Sequence, residues 1–263
     1  MRAFLMILCA ALTWPARAEP EIAVDVELVL AVDVSRSMTV RELEIQRRGY
    51  AEALVSDAVI EAIGRGGLGR VAITYLEWAG ASSQQVIVDW TLITNRSDAQ
   101  AFADRLTAHF VDNMRRTSIS GALDYAAGLF QGNDFKGDRW VIDVSGDGPN
   151  NQGRPVNIAR DDALAQGIII NGLPLMTREG MGAQWHLDDL DRYYQDCVIG
   201  GPGAFVIPVL EWDHFPAAVQ RKLVLDLVEA PRRPGPLRIP AQSEHYDCLI
   251  GEKIWDNIQG DWN

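Results

Sequence analysis

The sequence predicts an α/β protein with a doubly wound, mostly parallel central sheet, an antiparallel edge strand and helices on both faces, Rossmann-like in outline. Three observations predict it. Residues 27–34 (ELVLAVDV) form a valine-rich apolar run, as expected of a strand covered on both faces. Further apolar runs then alternate with stretches of helical apolar spacing. The runs at 71–79 and 85–93 are separated only by Gly80 to Gln84, too short for a parallel crossover, so that pair is expected to be a hairpin at a sheet edge.

The elements follow in order. After the first strand, Thr39-Val40-Arg41-Glu42 fits a capping box, and Leu43, Tyr50, Leu54 and Ile60 carry one helix to about Ile63, where GRGGLG stops it. Ser97-Asp98 starts a helix to about Phe110, and Ser118 or Ser120 starts another that ends near Gly132. Residues 139–145 (RWVIDVS) read as a strand running into Gly146-Asp147-Gly148-Pro149. A helix at 154–166, a strand at 168–175, a helix at 187–196, a strand at 204–210 and a helix at 215–229 complete the alternation. Pro231, Pro234, Pro236 and Pro240 end regular structure, which makes 231–263 an irregular C-terminal tail.

The 263 residues suffice for one sizeable domain, assigned here to 19–230. Residues 1–18 read as a secretory signal: Arg2 precedes a short apolar run, and Ala16-Arg17-Ala18 has the form of a cleavage site. A periplasmic or secreted protein is the expectation. Loss of Arg2 and Arg17 takes the formal net charge from -12 to -14. Such acidity argues against nucleic acid and anionic lipid as partners and favours a cation or a basic surface. No later segment is long and apolar enough to span a bilayer, so membrane insertion is not expected. Without residues 1–18 the cysteines are Cys197 and Cys248, which read as a disulfide in an oxidising compartment, or else as two buried thiols.

Ligands of an open parallel sheet bind outside the carboxyl ends of its strands. There the first strand ends in Asp33-Val34-Ser35-Arg36-Ser37, where a carboxylate alternates with two hydroxyls. These are hard oxygen donors of the kind Mg²⁺, Mn²⁺ and Ca²⁺ prefer. By themselves they also suit an ordinary strand–helix turn.

DVSRS after an apolar first strand resembles the opening of the metal-ion-dependent adhesion site of von Willebrand factor type A (vWA) domains. Thr117 in TSISGAL and Asp147 in VSGDGPNN resemble the later motifs of the same family. The likeness covers roughly 25–230 and implies a vWA-like fold. It also implies a divalent cation, Mg²⁺ first and Mn²⁺ or Ca²⁺ as alternatives, held by Asp33, Ser35, Ser37, Thr117 and Asp147. A protein partner would supply an acidic residue to that ion. This sequence departs from the family pattern in having Gly146 directly before Asp147, which makes Asp143 a competing candidate, and in having Arg115 and Arg116 before Thr117. The stretches DVSRSM, DVSGDGPNN and CVIGGPG are also similar to those of a bacterial group of exported vWA-like proteins with no assigned task.

Other chemistries find little support. The sequence has no Gly-x-Ser-x-Gly, no Walker lysine and no Gly-x-Gly-x-x-Gly after the first strand. His109, His186, His214 and His245 lack a repeated ligand spacing. Trp78, Trp90, Trp140, Trp185 and Trp212 read as packing residues, and Trp255 and Trp262 as packing or a docking patch. The expectation is a binding module and not an enzyme. The alternatives are a metal-dependent hydrolase using Asp33 as nucleophile and a domain with an empty site that serves only in assembly.

Overall fold

A computed structural model describes residues 20–108, 114–177, 186–228 and 246–260. The expected secretory signal, His109, Trp185, His245, Trp262 and the proline-rich stretch lie outside the described residues. The five strands are β1 (Ile22–Asp33), β2 (Val71–Trp78), β3 (Gln84–Ile93), β4 (Phe135–Gly146) and β5 (Ile169–Pro174). They form one sheet in the order β3-β2-β1-β4-β5, parallel except for the antiparallel β2–β3 pair at one edge. This is the mixed α/β architecture the alternation of elements predicts.

The central strand divides its side chains by the period of two that a pleated strand imposes. Val26, Leu28, Leu30 and Val32 enter one core cluster, and Val29 and Ala31 enter the other. Helices α1 (Val40–Leu54), α2 (Asp57–Gly64), α3 (Arg96–Thr107) and α7 (Phe215–Leu227) cover the first face. Helices α4 (Ile119–Gly128) and α5 (Val156–Ala165), the short α6 (Leu190–Tyr193) and the wide turn Tyr194–Val198 cover the second.

Four sequence expectations are corrected. The single helix over 39–63 is two, because the chain breaks at Val55 and Ser56 caps α2 through Val59 N–H. Asn95, not Ser97, caps α3, accepting from the N–H groups of Ser97 and Asp98. Residues 204–210 form no strand and only bridge to β5 at Gly172–Val206 and to Leu175, just past β5, at Val209. Pro208, between them, has no N–H to donate to a ladder. The tail is not irregular throughout: Ile250–Gly260 is a helix, α8, with Ile250, Ile254 and Ile258 on one stripe.

Residues Cys197 and Cys248 are disulfide-bonded, with Cα atoms 5.5 Å apart. The bond joins the wide turn after α6 to the residues just before α8.

Candidate metal site at the sheet rim

Register sets the site. Asp33 ends β1 opposite Trp78 of β2, and Val32 pairs with Ser145 of β4, so the ends of β1 and β4 lie side by side. The connections leave β1 towards β2 on one side and reach β4 on the other, which opens a crevice at this rim.

Three distant segments are stitched together there. Val34 N–H donates to the Trp78 carbonyl (2.9 Å), and Met114 N–H donates to the Val34 carbonyl (2.9 Å). The Thr117 loop is held by Ser118 N–H on the Ala79 carbonyl (2.7 Å). Asn151 clasps Thr117 from the β4 side, its N–H donating to the Thr117 carbonyl (2.9 Å) and its Oδ1 accepting from Thr117 N–H (3.0 Å). Asn150 Oδ1 accepts from Ser120 N–H at 3.0 Å, which ties the start of α4 to the same turn. The capping box expected at α1 is present, with Glu42 Oε2 accepting from Thr39 N–H (2.6 Å) and Thr39 Oγ1 from Glu42 N–H (3.3 Å).

The candidate side chains converge on this rim. Ser35 Oγ lies 2.9 Å from Ser37 Oγ, and Ser37 Oγ donates to Asp147 Oδ1 at 2.8 Å. Asp33 Oδ1 accepts from Ser35 N–H at 2.7 Å, while its buried Oδ2 has no hydrogen-bond partner among the described residues. Ser35, Ser37, Thr117 and Asp147 line one cavity of ≈ 480 Å³. Asp143 does not compete for the site: it is fully buried in the core, with Lys222 Nζ 2.7 Å from its Oδ1.

Gly146 does not displace Asp147 from the cluster; close packing explains why a glycine stands there. A Cβ on it would come 2.9 Å from the Tyr194 hydroxyl and 3.0 Å from Asp33 Oδ2. The Tyr194 hydroxyl is itself buried without a hydrogen-bond partner among the described residues.

Burial, with repulsion from Asp147 adding to it, holds the Asp33 carboxyl well above the usual carboxylate range. Burial likewise pushes Asp147 up to about 6, against the lowering effect of the Ser37 hydrogen bond. Burial disfavours the ionised form of both carboxyls, and a bound cation would offset that cost where a proton otherwise does. A cation is the natural complement. The donor set is two carboxylates and three hydroxyls, and no group of three His, Cys, Asp or Glu side chains among the described residues offers a metal cluster. The set therefore fits a hard, oxygen-seeking ion better than Zn²⁺ in a saturated nitrogen or sulfur shell.

Sequence reasoning missed the two amides that do the stitching. Asn150 and Asn151 are adjacent at a strand exit, directly after Pro149, and such a pair is a visible signal for side chains that bind neighbouring backbone. It also missed what covers the rim. The same cavity is lined by Arg115 and Arg116 and, from α8, by Gly251, Ile254 and Trp255.

A family model described as a protein of unknown function (DUF1194) matches residues 23–231. No curated protein matches the chain. Among solved structures, the pilus adhesin SpaC from Lactobacillus rhamnosus GG is similar with a TM-score of 0.57 at 13% identity, over 79% of this chain and 31% of that one. Proximal thread matrix protein 1 from the mussel byssus gives 0.56 at 13% identity, over 80% of this chain and 49% of that one. A structure of the same mussel protein with a zinc-occupied MIDAS motif gives 0.53 at 14% identity, over 80% of this chain and 49% of that one. The von Willebrand factor type A protein from Catenulispora acidiphila gives 0.51 at 10% identity, over 78% of this chain and 43% of that one. The chain spans less than half the length of each of these proteins. At these identities the likeness shows the fold, which is of the vWA type.

Proposed function

The chain belongs to the DUF1194 family of proteins of unknown function, and on the geometry of its rim we propose that it is an exported binding module that recognises a protein partner through a divalent cation. Asp33, Ser35, Ser37, Thr117 and Asp147 would hold the ion, Mg²⁺ by preference and Mn²⁺ or Ca²⁺ as alternatives. An acidic side chain of the partner would complete the shell. The observation that carries this reading is the hydrogen-bonded Ser35–Ser37–Asp147 cluster, with Thr117 lining the same cavity and Asp33 Oδ2 buried without a hydrogen-bond partner among the described residues.

The ion supplies an electrophilic centre when bound, and the chain's own residues set its character. Hydroxyls from Ser35, Ser37 and Thr117 are neutral donors, so they leave the ion's charge largely uncancelled and open to an external carboxylate. The zinc-occupied MIDAS motif of the mussel protein supports a cation in a site of this fold. A binding module is favoured over a hydrolase because Ser35 stands two residues after Asp33, where phosphoryl-transfer enzymes with a strand-end aspartate carry a second carboxylate. Export to the periplasm or beyond is supported by the composition of residues 1–18 and by the Cys197–Cys248 bond. Among the described residues no helix is long and apolar enough to cross a membrane.

Calorimetric titration of the protein with Mg²⁺, Mn²⁺ and Ca²⁺ tests the reading, with Asp33→Ala as the control. Saturable binding lost in Asp33→Ala is expected; an absence of binding by the wild type defeats the cation. Capture of a partner from envelope extract that persists in excess chelator defeats the bridging role.

A further inference from the structure

We propose that α8 is a built-in cover of the rim, that an external partner has to displace it, and that the Cys197–Cys248 bond is the tether that returns it. The exclusion of a partner rests on the binding function proposed above; the covering of the rim does not.

The cover is seen in the cavity itself, which is lined both by Ser37, Thr117 and Asp147 of the rim and by Gly251, Ile254 and Trp255 of α8. Two contacts latch α8 onto the segments that build the site. The Arg116 guanidinium lies 3.5 Å from the centroid of the Trp255 ring, one residue before Thr117. Arg116 reaches it from a left-handed backbone (φ 77°), a conformation an arginine rarely adopts without a constraint. Asn150 Nδ2 donates to Glu252 Oε1 at 2.7 Å, and Asn150 is the residue that also binds the start of α4. Next to the Glu252 contact α8 presses on the backbone: a Cβ on Gly251 would overlap the Asn150 carbonyl oxygen. Only a glycine lets the helix sit this low.

The attachment is covalent at one end and non-covalent elsewhere. Just before α8, Cys248 is covalently bound to Cys197, and the Tyr246 hydroxyl donates to Asp189 Oδ1 at 2.8 Å. Among the helix residues whose burial is described, only Gly251 is buried; Ile254, Trp255 and Ile258 are partly buried, and Lys253, Asp256 and Asn257 face solvent. An element with few buried contacts opens at low cost. A covalent tether beside it keeps the local concentration of the cover high, so that any partner competes with an intramolecular occupant. A dithiol reductant changes that balance. It delivers two electrons and two protons to the Cys197–Cys248 bond, leaves two thiols, and becomes a disulfide itself.

The test compares full-length oxidised protein, the same protein reduced with dithiothreitol, and the oxidised variants Gly251→Ala and Trp255→Ala. Amide hydrogen exchange is followed at 114–118 and 147–151 on the rim and at 250–258 on α8, with β1 and β2 as controls for an intact fold. Reduction and each substitution are expected to raise exchange at the rim and on α8 by about tenfold or more, as a local opening would. In Mn²⁺-loaded protein, the rate of Mn²⁺ loss to a chelator rises in parallel. Faster exchange on α8 with an unchanged rim overturns the cover. Unchanged exchange on α8 after reduction overturns the tether. A rim that opens in protein that binds no Mn²⁺ upholds the cover and overturns the cation reading.

Discussion

Ser37 and Asp147 share a hydrogen bond of 2.8 Å across 110 residues of sequence. It joins the exit of β1 to the exit of β4, and it holds one hydroxyl and one carboxylate of the candidate ligand set together. Asp147→Asn keeps an acceptor for Ser37 and removes only charge. The variant is expected to fold normally and to bind Mg²⁺ roughly 10–100-fold more weakly, the range typical for loss of a supporting group at a metal. Calorimetry decides it, and an unchanged affinity would remove Asp147 from the set.

Gly146 separates the site from the packing beneath it. Gly146→Ala places a methyl 2.9 Å from the Tyr194 hydroxyl and 3.0 Å from Asp33 Oδ2, closer than carbon packs. An overpacking loss of about 1–3 kcal/mol is expected in urea unfolding. Cation binding should weaken with it, because Asp33 is the group displaced. A stable variant with normal binding would show that the rim relaxes freely.

Lys222 is fully buried, with its Nζ 2.7 Å from Asp143 Oδ1 and 3.4 Å from Asp226 Oδ2. Asn171 Nδ2 donates to Asp226 Oδ1 at 2.7 Å. Lys222→Met keeps most of the volume and strands two carboxyls without their cation. The expected loss is about 3–5 kcal/mol in denaturant unfolding, the usual result of removing one member of a buried ion pair. Adding Asp143→Asn to that variant should recover part of the loss, since a neutral amide costs less to bury than a carboxylate.

Acid should stabilise the metal-free protein. Burial pushes Asp226 up to about 7 and Asp147 up to about 6, so the folded chain holds protons that the unfolded chain has released. Stability from these groups is complete below the usual carboxylate range and is lost as pH rises through about 6 to 7. The melting temperature is therefore expected to rise on going from about pH 8 to about pH 5. Saturating Mg²⁺ should flatten the share that belongs to Asp147, because a bound cation replaces its proton. A metal-free melting temperature that falls over the same range would contradict the assignment.

Much of this was legible in the sequence, for physical reasons that differ by element. β1 and β2 announce themselves as apolar runs because both faces are covered, and the short Gly80–Gln84 connection dictates the hairpin. Asp33, Ser35 and Ser37 stand in one contiguous turn, so their alternation is visible without a fold. Thr117 and Asp147 became legible through resemblance, because nothing local says that their loops meet. The break at Val55 was missed because the apolar spacing continues through it into α2. The segment at 204–210 was misread because its apolar content is that of a strand, while Pro208 limits it to isolated bridges. The packing of α8 on the rim depends on Arg116, Asn150 and Gly251, whose meeting no periodicity encodes.

The bond between Cys197 and Cys248 has a consequence for how this polypeptide matures. Its sulfurs lie 51 positions apart, and the second, Cys248, follows all five strands of the sheet in the sequence. The five strands of the sheet are therefore all synthesised before the bond that fastens α8 can form. Material prepared in a thiol-rich cytosol and material prepared where oxidants reach the chain are two different reagents, and any search for ligands should state which one was on the bench.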